Sequence, residues 1–219
     1  DSERVSSFVY PGGILAVHAK GRGKDEIWTA LKNKNVYGTS GPKILLWFDL
    51  MNAPEGKVPM GSEVTMSQNP RFIVRAAGSF KQNEGCSDES IDSLSSKRLE
   101  YLCAGECYNP SNEREIIEKI EIIKITPQEY AGEAISPLIQ DPWKTIPCQG
   151  TGECIIEFED QNFSRDSVYY VRAIQGPTPA INGSSLVQRE TFELCKGSFR
   201  TDLKDDCLSM TNERAWSSP

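Results

Sequence analysis

Apolar residues in this chain come in runs of strand length, each closed by a polar or Gly/Pro-containing loop. Ile44–Leu50 is one such run, and Arg71–Phe80 alternates through Phe72, Val74 and Ala76. Lys119–Ile125 carries four isoleucines. That β-branched density favours strand, although Asn112 with Glu115 three residues on has the form of a helix-starting capping box. Glu153–Asp160 and Ser167–Gln175 read as further strands, the second with Val168, Tyr170 and Arg172 on one face. Pro177-Thr-Pro179 is expected to stop it, and Glu213–Ser218 to form the last strand. Val58–Met66 is expected as a strand and Leu99–Cys103 as a short one. Lys81–Arg114, polar and without a clean period, reads as a long insertion.

The first fifty residues have a different rhythm. Pro11-Gly-Gly13 leads into the strand Ile14–Val17. Lys24–Lys34 follows as a helix, with Ile27, Trp28 and Leu31 on one side and Asp25 and Glu26 in its first turn. Asn35–Pro42 reads as a tight polar loop before the next strand. The expected fold is therefore mainly β, a β-sandwich, with a short N-terminal α/β segment.

Seven cysteines, Cys86, Cys103, Cys107, Cys148, Cys154, Cys195 and Cys207, are many for a cytosolic chain of 219 residues. All seven are disulfide candidates, and six paired cysteines leave fifteen connectivities open. Zinc is the rival reading, but the Cys103-x3-Cys107 and Cys148-x5-Cys154 spacings lack the tight pairs of structural zinc sites. Asn162-Phe-Ser164 and Asn182-Gly-Ser184 match the glycosylation sequon. A net charge of −7 argues against nucleic acid and against an anionic membrane as main partner. No apolar run approaches the ~20 residues that span a bilayer.

Candidate chemistry is sparse. His18 is the single histidine, so no His-rich metal set can be assembled, and no nucleophile-elbow sequence accompanies it. Its place after a strand allows either a ligand contact or a structural hydrogen bond. Tyr37-Gly-Thr-Ser-Gly-Pro42 is the other candidate: its glycines permit close backbone approach, and Thr39, Ser40 and Lys43 could meet an anion. The full phosphate-loop pattern is absent, and a sharp turn explains the glycines equally well. The weak ligand-binding set is His18, Tyr37, Thr39, Ser40 and Lys43; no catalytic residue and no metal ligand are assigned. Trp143 and Tyr169-Tyr170 offer aromatic surface for a carbohydrate-binding alternative.

Three segments taken together are distinctive: Pro11–Val17, Ile27–Leu31 and Val36–Ile44. They resemble a bacterial domain-of-unknown-function family related to the PHP (polymerase and histidinol phosphatase) metal-dependent phosphoesterases. Val58–Gly61, Lys119–Lys124, Val168–Arg172, Pro177–Pro179 and Glu213–Pro219 are similar to that family's later motifs. The resemblance covers roughly residues 9–77, 117–126 and 165–219, and at Lys43 this chain has lysine where arginine is common. Metal-binding H-x-H and D-x-H motifs of PHP proteins do not occur in this sequence.

The resemblance thus implies the C-terminal part of a longer protein. Residues 1–42 would be the terminal strand–helix segment of a PHP-like barrel, and residues 43–219 a β-sandwich-like domain with Cys-rich insertions. The expected partner is the missing N-terminal barrel of the same protein. No cofactor is expected in this chain, with a divalent metal in the full-length parent. Family members often carry export signals, so a periplasmic or secreted location is expected.

Overall fold

In a computed structural model of the chain, residues 12–103, 107–181 and 208–219 are described. Twelve strands form three antiparallel sheets among these residues. In chain order they are β1 (Ile14–Val17), β2 (Val36–Thr39), β3 (Leu45–Ala53), β4 (Gly56–Pro59), β5 (Arg71–Ala77) and β6 (Phe80–Gln82). There follow β7 (Pro110–Arg114), β8 (Ile117–Ile125), β9 (Ile139–Pro147), β10 (Glu153–Glu159), β11 (Val168–Ile181) and β12 (Leu208–Ser217). The six-stranded sheet runs β1-β2-β12-β11-β8-β9, the four-stranded sheet β10-β5-β3-β4, and β6 pairs with β7.

The two larger sheets face each other across one core. Alternation decides which side chains enter it. Leu46 and Phe48 of β3, Phe72, Val74 and Ala76 of β5, and Cys154 and Phe158 of β10 supply one wall. Ile120 and Ile122 of β8, Tyr169, Val171 and Ala173 of β11, and Ala215 of β12 supply the other. Phe48, Phe72 and Phe158 stack with centroids 5.0–6.4 Å apart. The chain is mostly β, with antiparallel sheets packed together.

Helix α1 (Lys24–Lys32) lies between β1 and β2 and buries only Ala30. It ends before the expected Lys34, which takes a left-handed φ of 56°. Gly61, at φ 84°, approaches so closely that a Cβ there would meet the Lys34 carbonyl oxygen at 2.4 Å. This turn, with Pro59 at the end of β4, cuts short the strand expected over Val58–Met66. The loop expected over Asn35–Pro42 is half strand: β2 pairs with β1 and, through Tyr37–Thr39, with β12. Strands from residues 1–42 and from residues 43–219 thus share one sheet.

Other expectations need correction. Leu99–Cys103 is helical, the end of α3 (Ser96–Cys103), because Ser95 caps it through the Arg98 N–H. Within the same insertion α2 (Asp88–Ser93) is capped by Ser87. Pro177 and Pro179 do not stop β11. Its pairing with β8 ends at Gln175 while its pairing with β12 continues, so the absent proline N–H groups forfeit no bond on the β8 side. Strand β9 carries no clear strand pattern in the sequence, because Pro142, Pro147 and its polar residues belong to an edge strand.

Two disulfides are described, Cys86–Cys107 and Cys148–Cys154. The first closes the insertion that carries α2 and α3, and the second joins the end of β9 to the start of β10, one strand from each large sheet. Cys195, Cys207 and Asn182 lie outside the described residues, as does the Cys103 side chain. Asn162 is exposed in a turn.

Candidate functional site

The expected ligand-binding residues divide into three places. His18 Nε2 lies 2.8 Å from the Leu46 carbonyl oxygen, and its ring packs 5.2 Å from Tyr37 and 5.7 Å from Trp47. Tyr37 is buried; burial pushes its hydroxyl up, against a smaller lowering from a hydrogen bond with the Leu46 backbone. These two side chains therefore meet on β3. Thr39 is also buried, and its Oγ1 accepts from the Gly41 N–H at 3.3 Å.

Ser40 turns toward β12. Its hydroxyl donates to the Glu213 carboxylate and accepts from the Arg214 N–H at 2.9 Å, while its own N–H donates to the Arg214 carbonyl at 3.0 Å. The donors offered by the loop at Ser40 are thus taken up by the chain itself. Lys43 is exposed and sets its ammonium 3.7 Å from the centre of the Tyr108 ring, on the disulfide-closed insertion.

A second constellation was missed in the sequence. Ile120, Ile122 and Lys124 share the inward face of β8, and Cys154, Ile156, Phe158 and Asp160 share that of β10 and its extension. The inward alternation delivers one cation and one anion to the same point of the core. Lys124 Nζ is 2.5 Å from Asp160 Oδ2, and Tyr169, directly opposite Lys124 in the β8–β11 register, donates its hydroxyl to the same oxygen at 2.6 Å. The Asn162 N–H donates to Asp160 Oδ1 at 3.1 Å.

Asp160 is 1% exposed and Lys124 9%. Burial alone would raise the Asp160 carboxyl, but the hydrogen bonds from Lys124, Tyr169 and Asn162 together outweigh it and hold the group below the usual aspartate value. The Tyr169 hydroxyl is driven up by burial and by the carboxylate it serves. Trp143, half-buried, lies 6.3 Å from Phe158 and 6.1 Å from Tyr169, and Lys144 Nζ stands 4.1 Å from its ring centre. Phe72 lies 4.9 Å from Tyr169. The signal that could have found this site is a charged residue on the inward side of each of two alternating strands.

Beside the cluster, Asn52, Gln68, Asn69, Arg71 and Glu159 line an open polar depression of about 550 Å³. Among the described residues no three His, Cys, Asp or Glu side chains converge.

Taken together, the fold is that of a disulfide-bearing antiparallel β-sandwich. Residues 2–84 match the family model described as Protein of unknown function (DUF3604). In the described part of that match lie β1 to β6 and α1. No curated protein and no solved structure matches the chain.

Proposed function

We infer that this chain is the C-terminal, non-catalytic segment of an exported bacterial PHP-like hydrolase, in which the β-sandwich covers the upstream barrel. The observation that carries the reading is the exposure of apolar side chains on β1, at one edge of the larger sheet, and on α1. Ile14 and Leu15 of β1 are exposed, as are Ile27 and Trp28 of α1, with Leu15 at 60% and Trp28 at 57%. Such a surface is what an intrachain interface needs on its side of the contact. It falls within the residues that the family model matches. The chemistry of the parent, phosphoester hydrolysis assisted by a divalent metal, is assigned to the upstream barrel on the resemblance alone. A periplasmic or secreted location agrees with two disulfides, which persist in oxidising compartments.

The test is a phosphatase assay with p-nitrophenyl phosphate and added manganese or zinc. The present chain should give no turnover, and the full-length parent should. In the parent, Leu15→Asp with Trp28→Glu should lower turnover by loosening the covered barrel. Metal-dependent turnover by the present chain alone would overturn the reading.

A further inference from the structure

The Lys124–Asp160 pair has more around it than an ion pair needs. It joins β8 of one large sheet to the end of β10 in the other. Phe72, Phe158, Trp143 and Tyr169 form its surroundings, so the two charges meet among aromatic rings at the edge of the core. Three features of an intramolecular acyl transfer to an amine are in place. The nucleophile is Lys124 Nζ, in contact with the carboxyl group. A donor to the oxygen that keeps the charge is the Asn162 N–H on Oδ1. A donor to the oxygen that leaves is the Tyr169 hydroxyl on Oδ2.

We propose that Lys124 and Asp160 condense within the folded chain to an amide that joins the two sheets covalently. The ammonium first gives a proton to Oδ2 across their direct contact, which forms the minor, neutral state of the pair, with an amine that can attack and an acid that can be attacked. Nζ then attacks the Asp160 carboxyl carbon, and the negative charge of the tetrahedral intermediate sits on Oδ1, where the Asn162 N–H meets it. The C–Oδ2 bond breaks as Tyr169 gives its proton to the leaving oxygen, and Tyr169 recovers a proton from the nitrogen. The ammonium thus loses two protons, both depart with Oδ2 as one water, and the phenol is regenerated. No oxidant, metal or other reactant is required. Holding amine and acid in contact supplies the high effective concentration that such a reaction needs in place of an activated acyl group.

Unlike a disulfide, this bond would survive reduction. The decisive measurement is the intact mass of the full chain after reduction and denaturation. It should lie one water below the sequence mass, and trypsin should leave Lys124 uncut in a branched peptide that contains Asp160. Lys124→Arg and Asp160→Ala should each restore the full mass expected for the variant. Asp160→Asn is a second diagnostic, because its condensation expels ammonia and yields the same product mass as the wild type. Tyr169→Phe should slow crosslinking about 100-fold, at the low end of what a general acid contributes. A wild-type chain that stays at its full sequence mass after prolonged incubation in the folded state overturns the proposal.

Discussion

The two sides of the six-stranded sheet handle their side chains in opposite ways. On the β8 side, Asp160, Lys124 and Tyr169 are buried, and the carboxylate has a partner for each oxygen. On the β1 side, α1 buries one residue, and Leu15 and Trp28 stand in solvent. The first side satisfies costly polar groups inside the chain. The second leaves apolar area that only another surface could remove from water. The difference teaches that the sandwich supplies its own core, whereas its β1 edge leaves apolar side chains exposed.

The comparison can be broken most severely at the buried pair. Lys124→Ala should cost about 3–5 kcal/mol for the ion pair alone, because it leaves Asp160 buried without its cation. Urea denaturation measures this, and Lys124→Met with Asp160→Leu should recover much of the loss. An unchanged midpoint in Lys124→Ala would remove the contrast between the two sides.

Next in size is the clamp between the sheets. Replacing Cys148 and Cys154 together by serine should cost about 2 kcal/mol, the value for opening a short loop. Ser40→Ala should cost about 1–2 kcal/mol by depriving the buried Glu213 carboxylate and the Arg214 N–H of a partner. Both are read from thermal unfolding.

The β1 side should respond quite differently. Trp28→Ser should change the stability of the isolated chain by no more than about 0.5 kcal/mol. It should instead reduce the binding of a fluorescent apolar dye. A large loss of stability would mean that Trp28 belongs to the chain's own core.

The smallest effect concerns Glu133, which hydrogen bonds to Arg165 and the Glu129 N–H bring down to about 2. A carboxylate whose folded value is depressed stabilises the fold above its unfolded value near 4.5, and that contribution fades as the pH falls toward 2. Asp160 is shifted in the same direction, so acid should weaken the β8 side through both groups. Carboxyl titration by NMR should place the Glu133 midpoint well below the ordinary glutamate range, and Arg165→Ala should return it.

Much of the fold was legible because inward alternation is written into the residues. Phe72, Val74 and Ala76 and the isoleucines of β8 announce strands with one buried face. Edges were harder to read. β9 carries prolines and polar groups, and β11 runs past two prolines since only one of its neighbours continues there. The candidate set His18, Tyr37, Thr39, Ser40 and Lys43 was named from local features, and tertiary contacts divided it. Glu213 reaches Ser40 from 173 positions away, and Tyr108 draws Lys43 to the insertion.

The sequence by itself determined the β class, strands of the core and the cysteine-rich character, since period, β-branching and cysteine count are local quantities. Only the tertiary structure decided the meeting of Lys124 with Asp160 and the pairing of Cys148 with Cys154. Those depend on which two sheets face each other and in what register, and non-local packing fixes both.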